Sequence, residues 1–141
     1  MEYDAVEILP NLWLGNYISS QDNIFLKKNN IKNIINVTPD FPNYFQRKIN
    51  YLNIPIKDNK IYHDIFMFHL PYVFQFIENS LNNNQGILVH CKKGHKRSAV
   101  YVLLYLCHKY NITRYTSKDY IKRIRPLALH NNSLYLKQYY S

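Results

Sequence analysis

Glycine, cysteine, acidic side chains and long apolar runs are all scarce in this sequence, and each shortage excludes something. Two cysteines in 141 residues are too few for a disulfide scaffold. If Cys91 and Cys107 belong to one helical stretch, its rise holds them about 24 Å apart, beyond disulfide reach. Reduced thiols are expected. The longest apolar stretches, 65–68, 73–77 and 99–107, are too short to span a bilayer. The opening Met-Glu-Tyr-Asp is acidic where a secretory signal is basic. A soluble cytoplasmic protein is therefore expected; the Asn, Ile, Lys and Tyr bias looks like AT-rich coding, as in some large DNA viruses or protists, and a viral origin would place it in a host's cytoplasm. Nine Asp and Glu against eighteen Lys and Arg leave a formal charge of +9. That balance favours anionic partners: phosphorylated protein, inositol phosphate, nucleic acid or a membrane surface. The basic residues are spread along the chain, so charge alone does not choose among them.

What is present reads as one compact domain, residues 1–141, with no internal repeat, linker or low-complexity block. Short apolar runs alternate with longer helical patterns, which predicts an α/β fold with a central mixed sheet flanked by helices. Strands are expected at 5–9 and 12–14 around a Pro10-Asn11 turn, then at 31–37, 51–56 and 86–90. Ser19 or Ser20 is expected to cap a helix running to about Lys28. Apolar spacing through Ile65, Phe68, Tyr72, Phe76 and Ile77 predicts a helix from His63 to about Leu81. Pro71 is expected to kink that helix or delay its start to Leu70. Further helices are expected at 98–110, at 117–125 before Pro126, and around 134–139.

The informative stretch is Val89-His90-Cys91-Lys92-Lys93-Gly94-His95-Lys96-Arg97-Ser98, between a central strand and the start of a buried helix. Open α/β sheets bind ligands at that junction. Inward-facing loop amides and a helix N-terminus both favour an anion there. Gly94 lets the loop wrap tightly, and Arg97 offers a planar fork matched to two phosphate oxygens. Cationic, helix-terminal surroundings lower a thiol's pKa, so Cys91 is expected to react as a thiolate. Ser98 can donate a hydrogen bond to the sulfur, and His90 is expected to shape the loop rather than act as a base.

His90-Cys91, five residues, then Arg97-Ser98 resembles the His-Cys-x5-Arg-Ser/Thr signature of the cysteine-based protein tyrosine phosphatases. Leu9-Pro10-Asn11-Leu12-Trp13-Leu14-Gly15-Asn16 is similar to the opening strand pair of their dual-specificity branch. Residues 31–38 and 51–58 look like its next two strand segments, and Arg125-Pro126 followed by Asn131 like its C-terminal segment. The resemblance covers about residues 7–139. It implies a general acid, and Asp58, after Ile-Pro-Ile-Lys and 33 residues before Cys91, stands where the family carries one. Asp64 is the competitor, read instead as a cap of the following helix. By the same resemblance Asn131 supports the loop, and no metal or other cofactor is implied.

The loop departs from the family pattern in its charge. Lys92, Lys93, His95 and Lys96 accompany Arg97, and Lys96 stands where serine is common. The extra cations are either solvated or bind further phosphates; relatives acting on phosphoinositides or inositol pyrophosphates carry similar loops. Branches acting on RNA 5′-triphosphates show Asn before the Arg and Thr-Gly after it, which Lys96 and Ser98-Ala99 do not match, so no stable nucleic-acid binding is expected. The spacing of His63, His69, His90 and His95 fits no zinc pattern, and Cys107 reads as a core thiol. The leading expectation is a phosphatase acting on phosphotyrosine and phosphoserine/threonine in proteins through a cysteinyl-phosphate. A phosphoinositide or inositol polyphosphate phosphatase is second, and an inactive phosphate-binding module a distant third.

Overall fold

The computed structural model describes residues 3–130. Asn131 and the helix expected at 134–139 lie outside the described residues. Five strands, β1 (Ala5–Leu9), β2 (Leu12–Gly15), β3 (Ile31–Asn36), β4 (Asn50–Asn53) and β5 (Gly86–His90), form one sheet in the order β1-β2-β5-β3-β4. The β1–β2 hairpin is antiparallel, and the remaining pairings are parallel. Its turn places Asn11 at φ 73°, a left-handed conformation that asparagine tolerates.

The central strand β5, Gly-Ile-Leu-Val-His, is buried at all five positions, as a parallel strand covered on both faces must be. Alternation along the strands sends residues to two cores. Leu12, Leu14, Ile35, Ile87 and Val89 face the larger one, shared with helices α2 (His63–Asn82), α3 (Arg97–Tyr110) and α4 (Arg114–Ile124). Ile34 and Leu88 face the smaller one, packed with Phe25 and Leu26 of α1 (Asn23–Lys28). The expected mixed sheet flanked by helices is the observed fold.

Helix α3 is buried from Arg97 through Leu106, so it fills the centre of the larger layer rather than lying on its surface. Tyr101 donates its hydroxyl to the Phe66 carbonyl of α2 at 2.7 Å, and Ser117 of α4 donates to the Leu103 carbonyl at 2.9 Å. These bonds let polar atoms enter an apolar layer without remaining unsatisfied.

Several boundaries differ from expectation. Ser19 and Ser20 do not cap α1; they form a single 3-10 turn, and Asp22 caps α1 by accepting from the Phe25 amide. Helix α2 begins at His63 despite Pro71, which leaves only the Met67 carbonyl without its usual helical donor. Packing of Phe66, Val73 and Ile77 into the core outweighs that lost bond. Asp64 is not a cap either: it is exposed in the first turn of α2, whose capping position is Tyr62. Helix α4 starts three residues early because Thr113 accepts from the Thr116 amide. Strand β4 ends at Asn53, and 54–56 continue as an irregular segment anchored by buried Ile54 and Ile56. No helix among the described residues is long and apolar enough to cross a membrane.

Candidate active site

The loop between β5 and α3 is held by its carbonyls. His90 C=O accepts from the Val37 amide at 2.8 Å, Lys92 C=O from Tyr17 at 3.0 Å, His95 C=O from Leu129 at 2.7 Å and Lys96 C=O from Val100 at 2.8 Å. Cys91 C=O meets His90 Nδ1 at 3.0 Å. Lys93 C=O and Gly94 C=O both accept from Arg125, through Nη2 at 2.9 Å and Nε at 3.0 Å. Seven consecutive carbonyls are thus turned into the scaffold. Among the described residues no acceptor pairs with the amides of Lys92 through Lys96. A ring of N–H groups left facing a concavity is an anion nest. Helix α3 begins beside it with no side-chain cap on its first amides, adding the positive end of the helix dipole.

Gly94 makes this path sterically attainable. It adopts φ 75°, and a Cβ there would stand 2.2 Å from the Gly15 carbonyl oxygen. The close approach seats the loop against the end of β2, next to the strand pair that carries it.

A cleft of about 470 Å³ opens over the loop, lined by Asp58, Cys91, Lys92, Lys93, His95, Lys96, Arg97, Leu127 and His130. Cys91 lies at its base, 3 % exposed, with Sγ 3.1 Å from Ser98 Oγ. A hydroxyl at that distance can donate to sulfur and stabilise negative charge on it. Both cysteines are free thiols; Cys107 is half-buried on α3, where burial raises its pKa.

Arg97 is 8 % exposed and donates from Nη1 to the Ile56 carbonyl at 2.8 Å. That bond fixes the guanidinium plane and leaves its remaining donors for an anion. Asp58, two residues past Ile56, also lines the cleft and pairs with Lys96, Nζ to Oδ2 at 3.4 Å. Its other oxygen, Oδ1, is shielded from solvent without a hydrogen-bond partner. Asp64 does not line the cleft.

His90 is buried, and desolvation pushes its pKa down to about 4, with the Arg97 charge acting in the same direction. A neutral imidazole donating from Nδ1 to the Cys91 carbonyl fits a role in shaping the loop. His95 is also held below its ordinary value, first by burial and then by the Arg125 charge. Among the described residues no three His, Cys, Asp or Glu side chains converge as metal ligands.

The expected site residues Asp58, Cys91, Lys92, Lys93, His95, Lys96 and Arg97 therefore meet in one cleft, with Gly94, Ser98 and His90 supporting its floor. Sequence reasoning missed the structural part of Arg125, which is 4 % exposed and also pairs with Asp4 at 2.8 Å. Its signals were an arginine at a helix end directly before proline and the likeness of Arg125-Pro126 to the family's C-terminal segment, neither of which gives its partners. Leu127 and His130 carried no signal at all.

A fold and loop of this kind define a phosphate-binding α/β domain of the cysteine phosphatase type. Residues 12–140 match the family model for the dual specificity phosphatase catalytic domain, and the chain belongs to that family. It is 46 % identical over 106 residues to the dual specificity protein phosphatase Mpk3 of Drosophila melanogaster, covering 73 % of this chain and 25 % of that protein. It is 37 % identical over 120 residues to human dual specificity protein phosphatase 9, covering 84 % of this chain and 31 % of that one. The chain thus spans about a quarter to a third of the length of these relatives. The crystal structure of DUSP15 superposes with a TM-score of 0.85 at 29 % identity, over 96 % of this chain and 83 % of that one.

Proposed function

We propose that this chain is a cysteine-dependent phosphatase that hydrolyses phosphomonoesters on tyrosine and on serine or threonine of proteins. The observation that carries the reading is the position of Cys91 Sγ at the base of a nest whose carbonyls are all turned away. Phosphate oxygens occupy the nest and the Arg97 fork, which brings phosphorus over the sulfur. In the first step the Sγ–P bond forms and the bond from phosphorus to the leaving oxygen breaks, while Asp58 gives that oxygen a proton. In the second step water attacks phosphorus, Asp58 takes its proton, and the Sγ–P bond breaks. Ser98 donates to the departing sulfur and lowers the cost of that cleavage.

Two further facts support a protein substrate. Both curated relatives described above are named as dual specificity protein phosphatases. The cleft is also far larger than a phosphate group needs, which leaves room for the side chain that bears it.

Turnover of p-nitrophenyl phosphate by the wild type, abolished in Cys91→Ser, is the first test. Release of phosphate from both phosphotyrosine and phosphothreonine peptides is the second. A wild type inactive on all of these between about pH 5 and 8 refutes the reading. Activity confined to inositol polyphosphates would replace the protein substrate with that class.

A further inference from the structure

We infer that Lys96 is a positioning residue for proton transfer, restraining the rotation of the Asp58 carboxyl at the cleft. The inference rests on the phosphatase reading above and deepens it.

Two contacts tie the end of the phosphate loop to the segment carrying Asp58, and they come from neighbouring residues. Arg97 Nη1 grips the Ile56 carbonyl at 2.8 Å, and Lys96 Nζ meets Asp58 Oδ2 at 3.4 Å. The first fixes backbone. It places the segment but leaves the Asp58 side chain free to turn about its own torsions. The second acts on the carboxyl itself, and among the ion pairs between described residues it alone joins two residues that line the cleft.

The anchor at the Lys96 end is firm. Its backbone occupies the capping position of α3, its carbonyl accepts from Val100 at 2.8 Å, and the next ten residues are buried. The Asp58 end is less so. It lies in an irregular stretch between β4 and the 3-10 turn Lys60–Tyr62, supported from below by buried Ile56. A tether from a rigid element to a looser one restricts the looser one.

The two carboxyl oxygens are consequently unlike. Oδ2 faces the ammonium, whereas Oδ1 is shielded from water and has no partner. The ammonium at Oδ2 thus restrains how the carboxyl turns. The Lys96 and Asp58 side chains are 47 % and 28 % exposed, and a pair so wet adds little net stability. Its consequence is orientation.

Leaving-group chemistry separates this from the simpler alternative that Lys96 binds the substrate's phosphate. Phenyl phosphate has a poor leaving group and needs the acid; 6,8-difluoro-4-methylumbelliferyl phosphate has a good one and needs it little. General-acid help is worth about a hundredfold or more, so losing part of its alignment should cost about tenfold. Lys96→Gln should therefore lower kcat on phenyl phosphate about tenfold and leave the fluorogenic ester almost unchanged. Lys96→Arg should restore much of the loss, and Lys96→Gln should cost nothing further in an Asp58→Asn background. Equal losses on both esters, appearing as a raised KM and persisting with Asp58→Asn, would make Lys96 a phosphate ligand and overturn the inference alone. Absence of wild-type turnover on both esters would overturn the phosphatase reading and the inference with it.

Discussion

Arg125 and Asp4 lie 121 positions apart and meet at two points, Nη1 to Oδ1 at 2.8 Å and Nη2 to Oδ2 at 3.1 Å. The two partners are not equivalent. Arg125 is almost wholly buried and also holds two loop carbonyls, whereas 56 % of the Asp4 side chain is exposed. Arg125→Ala strands both carbonyls and should destabilise the fold by about 2–5 kcal/mol. Asp4→Asn gives up only a wet ion pair and should cost about 1 kcal/mol or less. Urea midpoints of the two variants measure this, and equal losses would show that the pair rather than the carbonyls matters.

Gly94→Ala tests the close approach to β2. The left-handed φ alone costs a residue with a Cβ about 1–2 kcal/mol. The contact at 2.2 Å is with the Gly15 backbone, which cannot turn aside as a flexible side chain would. A lowered Tm is expected, together with weaker competitive inhibition by orthovanadate. Unchanged inhibition would mean that the nest tolerates a shifted loop.

Ser98→Ala should act chiefly on the second chemical step. With its hydroxyl 3.1 Å from Cys91 Sγ gone, sulfur leaves phosphorus less readily, and kcat should fall by about one to two orders of magnitude. Rapid-mixing experiments should then reveal a burst of released phenol as the cysteinyl-phosphate accumulates. A loss of rate without a burst would place the effect on the first step.

His90 makes stability depend on mildly acidic pH. Its pKa is about 4 in the folded chain against 6.5 when unfolded. Between those values the unfolded state binds more protons, so stability falls as pH falls, by up to about 1.4 kcal/mol per pH unit. The loss should begin below about pH 6.5 and level off, for this residue, near pH 4. His95, also depressed, adds to the slope in the same direction. Denaturant midpoints across that window should be flatter in His90→Asn than in the wild type. Parallel profiles would show that His90 is not the group responsible.

The strand, loop and helix around Cys91 were legible because local features specify them: a β-branched run, a glycine, an arginine and a long apolar helix. The alternating strands were legible for the same reason. Asp58 was reached through resemblance, since nothing in Lys57-Asp58-Asn59-Lys60 distinguishes it from a solvated turn. What remained hidden depends on distant pairing. No spacing rule links Arg125 to Lys93 and Gly94, or Tyr17 to Lys92. Cap assignments failed where two candidates stood close together. Asp22 outcompeted Ser19 and Ser20 because it alone directly precedes the residues that turn helical. Pro71 proved tolerable because burial along α2 exceeds one missing bond.

The seven carbonyl contacts around the loop also bear on how the chain folds. Their donors come from positions 17, 37, 90, 100, 125 and 129, so the nest has no stable shape until segments as distant as Tyr17 and Leu129 have docked around it. Contacts that close such long loops form late, because chain entropy must be lost before they repay it. A peptide copied from residues 90–98 would carry Cys91, Arg97 and Ser98 and still lack the geometry. During folding the thiol becomes competent last, when nearly all the chain is already in place.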